Sequence, residues 1–392
     1  MQNLYLKKRE ERRIKAGHLW VFSNEIDTAR SPIKGLEPGS LCAVLASSGE
    51  HLGMGYVNPA SLISVRLLET GRFTSRDPAE IIQQRVADAL AWREASFDAP
   101  YYRLIHGEGD FLPGLVVDRF GDYLVAQIST AGIEALRDDV LAALEAVVDP
   151  KGVLFRNDAR GRELEGLAID EPELYGEWPE ALDVFEGDCH FQMPADGGQK
   201  TGWFYDQRPN REAFLRWVEG KRVLDVFSYV GGWGVQAAKA GASNVTCVDG
   251  SKIVCEQITR NAELNGVGID VIQNDAFKAL SELKAAGRKF EVIVVDPPAL
   301  IQKKKDQRQG IQAYQRLNEL ALSCLTPNGV LVSASCSHHL PANELHSLVR
   351  RAANKRGRQL SIVAKGGAGL DHPVHPAIPE TEYLKAVFSK II

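Results

Sequence analysis

The chain has 392 residues, a length that suggests two or three domains at roughly 150 residues per domain. Its composition, 44% hydrophobic and 25% charged, is ordinary for a globular protein and excludes collagen-like and low-complexity classes. The net charge of −5 gives no support to non-specific binding of nucleic acid, which would have to come from local basic clusters. No apolar stretch approaches the roughly 18 residues that cross a bilayer, and the charged N-terminus lacks the apolar segment of a signal peptide. We therefore expect a cytoplasmic protein with no membrane partner.

The six cysteines are scattered and form no Cys-x-x-Cys pair, which argues against a disulfide framework and a zinc knuckle. Although His338 and His339 follow Cys336, no further ligand pair has suitable spacing, so no metal site is expected. We expect Cys336 to differ from the other five, which are predicted to be small buried hydrophobes. Those five are Cys42, Cys189, Cys247, Cys255 and Cys324.

The first 187 residues divide into two blocks. Residues 1–72 show the alternation of short strands, broken by Ser-Gly and Asn-Pro turn signals. In residues 73–187, Asp77 is a predicted N-cap with Pro78 at the first helical position. Strand-like segments, a helix over about 133–147 and a further strand follow, so this block is predicted to be a small α+β domain.

Residues 188–392 alternate between strand and helix patterns, which predicts a doubly wound α/β domain. The predicted helices include 252–264 and 311–325. The strand at 291–296 is nearly all apolar, as expected of a central strand covered on both faces. The predicted strands are 223–227, 244–249, 270–274, 291–296, 329–335, 360–365 and 383–391.

Ligands of open α/β sheets bind beyond the carboxyl ends of the strands, so the residues after each strand form the candidate site. A glycine-rich turn, within DVFSYVGGWG at residues 225–234, follows the first strand. Its spacing differs from the dinucleotide-binding GxGxxG, which argues against a nicotinamide dehydrogenase. The second strand ends in Asp249, a carboxylate suited to the two hydroxyls of a ribose. The third ends in Asn274-Asp275-Ala276, where an adenine edge could be contacted.

The segments DVFSYVGGWG, VDGS, NDAF and VDPP together resemble motifs I to IV of class I S-adenosylmethionine-dependent methyltransferases. The resemblance implies S-adenosylmethionine as the cofactor, with its methionine over the glycine-rich turn, its ribose on Asp249 and its adenine against Asp275 and Ala276. The cofactor-binding residues predicted in this way are Lys200, Asp206, Arg208, Asp225, Phe227, Gly231, Gly232, Asp249, Asn274, Asp275, Ala276 and Asp296.

The upstream segment GQKTGWFYDQRPNR, residues 198–211, is similar to a segment of one bacterial rRNA methyltransferase group. In that group the segment closes over the methionine end of the cofactor. Lys200, Arg208 and Arg211 could pair there with a carboxylate, as point charges or through two parallel hydrogen bonds.

Two further strand ends bear on the atom that accepts the methyl group. Asp296 ends the fourth strand, and Ala299 stands where amino-group methyltransferases typically carry an aromatic residue, which counts against transfer to nitrogen. Cys336 directly follows the fifth strand. Carbon 5 of cytosine is a poor nucleophile unless a thiolate first adds to carbon 6, so this chemistry needs a cysteine that faces the site. The Ser-Cys-Ser sequence here resembles the nucleophile motif of RNA cytosine-C5 methyltransferases.

We therefore expect Cys336 and Asp296 to be catalytic, with Asp296 bonded to the cytosine ring or its amine. Some RNA cytosine methyltransferases carry a second cysteine beside the Asp-Pro-Pro strand, and close relatives often have lysine in place of Ala299; this chain has neither. The base that removes the carbon 5 proton is left open between water and Asp296. A guanine-N methyltransferase of the same fold and a non-catalytic RNA-binding scaffold remain alternatives.

A basic cluster near the start, with GHLWVF at residues 17–22 and the strand-rich stretch behind it, resembles a PUA domain, a small β-barrel that binds RNA. Its basic side chains would contact phosphates, which position an RNA without selecting its sequence. These residues are Lys7, Lys8, Arg9, Arg12, Arg13 and Lys15. A second basic cluster comprises Lys303, Lys304, Lys305 and Arg308.

Over the whole chain, three domains are predicted: a PUA domain at 1–72, a central α+β domain at 73–187 and a methyltransferase domain at 188–392. This arrangement resembles the bacterial 23S rRNA (cytosine-C5)-methyltransferases. The family implies 23S rRNA as the partner and a target cytosine flipped out of its stack into the pocket. The sequence leaves open which cytosine is modified and whether the chain forms a homodimer.

Overall fold

The computed structural model describes residues 1–71, 77–158, 160–194 and 202–392. Lys200 lies outside the described residues. The described residues pack into two units. The first comprises the described parts of Met1–Leu182, Pro194–Trp203 and Leu370–Thr381, and the second comprises Asp183–Met193, Phe204–Gly369 and Glu382–Ile392.

The first unit opens with a five-stranded sheet in the order β1-β3-β4-β5-β2, in which β1 runs parallel to β3 and the other pairs are antiparallel. A hydrophobic core forms around Leu4, Val21, Val44 and Val65. The elements are β1 (Gln2–Tyr5), α1 (Glu11–Lys15), β2 (Trp20–Phe22), β3 (Leu41–Leu45), β4 (His51–Val57) and β5 (Ile63–Thr70).

A second sheet of the first unit combines with helices, as predicted for this stretch. Its strand order is β10-β9-β8-β7-β6. The elements are α2 (Pro78–Ser96), β6 (Tyr101–His106), β7 (Leu115–Phe120), β8 (Tyr123–Ile128), α3 (Ala131–Ala135), α4 (Arg137–Val148), β9 (Gly152–Phe155) and β10 (Glu173–Gly176). The start of α2 is confirmed, because the side chain of Asp77 accepts a hydrogen bond from the N–H of Ala79 over 3.1 Å. The helix predicted over 133–147 is two helices, interrupted at Leu136.

The strands β11 (Ala181–Glu186) and β12 (Cys189–Pro194) form a two-stranded sheet. The domain boundary predicted after residue 187 lies in the turn between them, and the three-domain division stays a prediction.

A seven-stranded sheet forms the centre of the second unit, in the order β15-β14-β13-β16-β17-β19-β18. The strands from β13 to β17 are parallel, whereas β19 is antiparallel to both of its neighbours. The strands are β13 (Arg222–Val226), β14 (Asn244–Asp249), β15 (Asp270–Gln273), β16 (Phe290–Val295), β17 (Leu325–Ser335), β18 (Leu360–Gly366) and β19 (Lys385–Ile391). The helices are α5 (Arg208–Phe214), α6 (Gly232–Lys239), α7 (Lys252–Leu264), α8 (Ala276–Ala285), α9 (Gln307–Cys324) and α10 (Ala342–Lys355).

Helices cover both faces of this sheet. Successive residues of a strand point to opposite faces, and Val223 and Leu224 accordingly belong to two different hydrophobic cores. One core includes side chains of α8, α9 and α10, and the other includes side chains of α5, α6 and α7. The predicted doubly wound α/β architecture is therefore confirmed. Within the described residues, none of the helices has the length and apolar character that crossing a membrane requires.

Candidate active site

The glycine-rich turn after β13 is held in an unusual backbone conformation. Gly231, which caps α6, has a φ of 89°, a value that glycine adopts without strain. Phe227 and Tyr229 also have positive φ values, 67° and 48°, although neither is glycine. Such conformations cost energy and concentrate at functional sites. The turn runs into Gly232, the first residue of α6, at the carboxyl edge of the sheet.

Two buried carboxylates near this turn keep an oxygen without a hydrogen-bond partner among the described residues. Oδ2 of Asp225 accepts the N–H of Gly234 over 3.1 Å, but its Oδ1 is orphaned. Burial raises the pKa of Asp225 to about 7. Oδ2 of Asp206 accepts the hydroxyl of Tyr383 over 2.7 Å, and its Oδ1 is likewise orphaned. Orphaned buried acceptors suit a ligand that carries an ammonium group, such as the methionine end of S-adenosylmethionine.

Asp249, at the end of β14, connects the second strand to the glycine-rich turn. Its Oδ2 accepts the N–H of Tyr229 over 3.1 Å, and its Oδ1 accepts the N–H of Ser251 over 3.0 Å. The side chain stays partly exposed. Because each carboxylate oxygen can accept more than one hydrogen bond, Asp249 can still receive ribose hydroxyls.

The residues after β15 serve local structure as well as the predicted adenine contact. The amide of Asn274 donates to Oε2 of Glu282 over 2.9 Å. Oδ1 of Asp275 caps α8 by accepting the N–H of Lys278 over 3.0 Å, and Ala276 is buried as the first residue of that helix. An adenine contact at Asp275 would therefore have to leave this cap in place.

Arg211, which the sequence suggested could pair with a carboxylate, is paired with a carboxylate of the chain itself. Its Nε and Nη2 lie 2.5 Å and 2.7 Å from the two carboxylate oxygens of Glu186, and both side chains are buried. Burial opposes the ionisation of Glu186, but the neighbouring Arg211 and Arg208 outweigh it, and the pKa of Glu186 is lowered. The carboxylate that Arg211 binds thus belongs to the chain itself. Arg208, with Nε 3.6 Å from Glu186, is partly exposed.

Asp296, the residue after β16, receives hydrogen bonds from two other segments. Nε2 of Gln207 donates to its Oδ1 over 2.9 Å, and the indole Nε1 of Trp233 donates to its Oδ2 over 3.2 Å. Burial, assisted by the charge of Asp206, raises the pKa of Asp296 to about 6. Gln207 and Trp233 were not predicted to be site residues, although they lie inside the motifs at residues 198–211 and 225–234.

Cys336 directly follows β17 and is partly exposed, whereas the other five cysteines are buried as predicted. Its Sγ lies 4.0 Å from the carbonyl oxygen of Pro297, the residue after Asp296. The structure therefore brings the ends of β16 and β17 together. Burial raises the pKa of Cys42 to about 12 and that of Cys189 to about 11. It also raises the pKa of Cys247, Cys255 and Cys324, so all five thiols resist ionisation.

The loop that contains Cys336 is fixed by side chains that the sequence analysis missed. The hydroxyl of Ser335 donates to Tyr314 Oη over 2.8 Å, and Tyr314 Oη lies 2.9 Å from Ser337 Oγ. Nζ of Lys385 donates to the carbonyl oxygen of Ser337 over 2.6 Å. In the seven-stranded sheet, site residues were predicted only near the carboxyl ends of strands. Lys385 stands at the beginning of its strand and was therefore not predicted.

The predicted RNA-contacting residues lie on and around α1 in the first unit. Arg13 forms an ion pair with Glu25, and Lys15 pairs with Glu50 over 2.6 Å. Nζ of Lys7 donates to a backbone carbonyl oxygen. Lys8, Arg9 and Arg12 are exposed, and the described part of the chain shows neither an ion pair nor a side-chain hydrogen bond for any of them. The second basic cluster, Lys303, Lys304, Lys305 and Arg308, is exposed in the second unit.

Metal chemistry was not expected, and the described residues form no group of three or more His, Cys, Asp or Glu side chains that could hold a metal ion. The rings of His338 and His339 lie 5.2 Å apart.

Known proteins show which class this fold and site define. The S-adenosylmethionine-dependent methyltransferase family matches residues 165–366, and a PUA-like domain matches residues 4–70. A Streptococcus mutans structure assigned to the SAM-dependent methyltransferases has a TM-score of 0.82 at 20% identity, over 100% of both chains. A second methyltransferase structure, complexed with SAH, has a TM-score of 0.83 at 20% identity, also over 100% of both chains. The chain is thus an S-adenosylmethionine-dependent methyltransferase, and the predicted cofactor is confirmed.

A curated relative narrows the class further. "Ribosomal RNA large subunit methyltransferase I" of Klebsiella pneumoniae (strain 342) is 33% identical over 396 residues, which cover 99% of this chain and 98% of the relative. This chain belongs to the ribosomal RNA large subunit methyltransferase I family. The family resemblance found in the sequence is confirmed, and membership of a family of enzymes disfavours the scaffold alternative.

Proposed function

We propose that this protein methylates carbon 5 of a cytosine in 23S ribosomal RNA through a covalent adduct with Cys336. The observation that carries the proposal is the position of Cys336, which is partly exposed directly after β17 and close to the Asp296 strand end. The name of the relatives supports large-subunit ribosomal RNA as the substrate. The reactivity of a thiolate toward carbon 6 supports cytosine carbon 5 as the acceptor.

One group of residues holds the cofactor, and Cys336 activates the cytosine. Asp206 and Asp225 hold the ammonium end of S-adenosylmethionine, and Asp249 holds its ribose. When bound, the cofactor supplies an electrophilic methyl group. The thiolate of Cys336 adds to carbon 6, forming an S–C bond, and the electron pair of the C5–C6 double bond makes carbon 5 nucleophilic. Once carbon 5 is methylated, a base removes its proton, the C5–C6 double bond re-forms and the thiolate leaves.

Asp296 holds the cytosine while these bonds change. With a pKa of about 6, its carboxylate is mostly ionised at neutral pH and can accept a hydrogen bond from the exocyclic amine. Gln207 and Trp233 fix its orientation. Asp296 also remains a candidate, with water, for the base that takes the carbon 5 proton.

The PUA-like region positions the RNA. Lys8, Arg9 and Arg12 are exposed and contact phosphates, while the target cytosine is flipped into the site. We place the reaction in the cytoplasm, where bacterial ribosomal RNA is made. A homodimer stays a prediction that light scattering tests.

The test combines methyl transfer with trapping. Purified wild-type protein, Cys336→Ala and the buried-site control Cys324→Ala are incubated with large-subunit rRNA and labelled S-adenosylmethionine, and bisulfite sequencing locates methylated cytosines. We expect Cys336→Ala to lose transfer and the control to keep it. RNA that contains 5-fluorocytidine, which has no removable carbon 5 proton, should remain covalently attached to the wild type and to Cys324→Ala, but not to Cys336→Ala. Near wild-type turnover by Cys336→Ala, or label on a guanine nitrogen, would overturn the proposal in favour of guanine methylation.

A further inference from the structure

Lys385 is brought to the candidate active site by the direction of its strand. Because β19 is antiparallel to β17, its first residue lies at the edge of the sheet where the parallel strands end. Lys385 is the partner of Ser335, the last residue of β17, and Cys336 is the next residue. The lysine therefore stands one position from the nucleophile, across the strand ladder.

The ammonium group of Lys385 is held against the loop that contains Cys336. Nζ donates to the carbonyl oxygen of Ser337 over 2.6 Å, and this bond uses one of the three donors of the group. Tyr314 fixes the same loop through its contacts with Ser335 and Ser337. The loop and the lysine thus form one constrained cluster.

The charges in this cluster act on each other. Burial lowers the pKa of Lys385 to about 8, against the opposing influence of Cys336 and Glu382, whose negative charges raise it. Burial raises the pKa of Tyr314, and the charge of Cys336 adds to that rise, so the phenol stays neutral. At neutral pH most Lys385 side chains are therefore protonated, and their charge favours the thiolate form of Cys336.

We propose that Lys385 is a positioning residue whose ammonium group holds Cys336 as a thiolate, ready to add to the pyrimidine. The Sγ–H bond breaks, its proton passes to solvent and its electron pair stays on sulfur, while Lys385 keeps its own protons. The same positive charge receives the thiolate when it leaves carbon 6 at the end of the reaction. This inference rests on the proposed function and adds to it the group that activates the nucleophile.

A purely structural role is the competing explanation, since Lys385 also anchors the carbonyl of Ser337. Three substitutions separate anchoring from charge. Lys385→Gln keeps an N–H donor but has no charge, Lys385→Met has neither, and Lys385→Arg keeps both. Lys390→Met, on the exposed part of the same strand, is the matched control.

The readout is alkylation of Cys336 by iodoacetamide in the full-length protein, measured from pH 5 to pH 10 by mass spectrometry of the Cys336 peptide. The other thiols have raised pKa values and are followed in the same digest. For Lys385→Gln and Lys385→Met, we expect the midpoint of the profile of Cys336 alkylation against pH to move up by about one pH unit. Alkylation at pH 7 should slow about tenfold. Lys385→Arg and Lys390→Met should match the wild type. Methyl transfer by Lys385→Gln should lose kcat with little change in KM for RNA, and raising the pH should restore part of it.

The outcomes separate this inference from the proposed function. A wild-type alkylation profile in folded Lys385→Gln overturns the inference, and the lysine is then an anchor only. Should Lys385→Met fail to fold, Lys385→Gln and Lys385→Arg still decide between charge and anchoring. If Cys336→Ala keeps methyl transfer, the proposed function fails whatever the alkylation profile shows. If Cys336→Ala is inactive and the profile does not move, carbon 5 methylation stands and only the role of Lys385 falls.

Discussion

The indole Nε1 of Trp233 donates a hydrogen bond to Oδ2 of Asp296 over 3.2 Å. Trp233 lies in the first turn of α6, after the glycine-rich turn, whereas Asp296 follows β16. The bond therefore links the segment proposed to hold the cofactor to the carboxylate proposed to hold the cytosine. The backbone N–H of Asp296 also donates to the carbonyl oxygen of Val226 over 3.3 Å, so the two segments are joined by a side-chain bond and a backbone bond.

Trp233→Phe should raise the pKa of Asp296 above its present value of about 6. The indole donor stabilises the ionised carboxylate, and its loss leaves burial and Asp206 to act without that opposition. We expect the acid limb of the profile of kcat/KM against pH to move upward by about one unit. Trp217→Phe is the control, because Trp217 packs on Phe388 and its ring is not bonded to Asp296. An unchanged acid limb would show that ionisation of Asp296 does not limit the reaction.

The affinity for S-adenosylmethionine should rise with pH. The pKa of Asp225 is raised to about 7, so the carboxylate is mostly protonated at pH 6 and mostly ionised at pH 8. Only the ionised form attracts an ammonium group, and we expect about a tenfold tighter Kd at pH 8 than at pH 6. Calorimetry at the two pH values measures this change.

Asp225→Asn should bind the cofactor weakly and with no such pH dependence. Asp270→Asn, at the exposed start of β15, should behave like the wild type. A wild-type affinity that is equal at pH 6 and pH 8 contradicts the assignment of Asp225.

Glu186→Gln should destabilise the protein by about 3 kcal/mol, because it leaves the buried guanidinium of Arg211 without its counter-charge. Urea unfolding measures the loss. Glu256→Gln, which removes an exposed pair with Lys252, is the control and should change the free energy of unfolding by less than about 0.5 kcal/mol. The buried pair lowers the pKa of Glu186, so its contribution is present at neutral pH and disappears as the pH falls through that lowered pKa. Equal unfolding midpoints for the two variants would contradict a structural role for the pair.

Replacing Lys8, Arg9 and Arg12 together by Gln should weaken rRNA binding and reduce its salt dependence. Each phosphate contact contributes about 0.7 to 0.9 to the slope of log K against log salt, so the loss of three contacts should reduce the slope by about 2 to 3. Filter binding measures the rRNA affinity between about 50 and 200 mM salt, a range over which such slopes are resolved. Lys15→Gln should have a smaller effect because Lys15 already pairs with Glu50. Cofactor affinity should stay unchanged in both, and an unaltered slope in the triple variant would assign RNA binding to another surface.

Much of the second unit could be predicted because its signals are local. Helix α7 has the predicted bounds, and five of the seven strands begin within one residue of their predicted starts; β17 and β19 do not. Apolar runs between polar turns define such elements without knowledge of their neighbours. Helix α9 begins at Gln307, four residues before its predicted start. Its first turn, residues 307–310, is polar and carries no apolar periodicity, so the pattern did not reveal it.

The candidate site was predicted only in part, for a reason that lies in strand direction. Asp249, Asp296 and Cys336 lie at or directly after the carboxyl ends of parallel strands, and Asp225 is the last residue but one of β13, so a search along the chain can find them. Lys385 begins an antiparallel strand, and nothing in the sequence around it reveals that direction.

The sequence by itself determined the alternation of strands and helices, the glycine-rich turn and the acids and cysteine at strand ends, since each is written in a few neighbouring residues. Only the tertiary structure decided which distant groups meet. In the folded chain Arg211 forms an ion pair with Glu186, Trp233 donates a hydrogen bond to Asp296, and Lys385 bonds to the loop that contains Cys336. Those pairings depend on sheet order and on how charges are neutralised once water is removed, and both are properties of the folded chain as a whole.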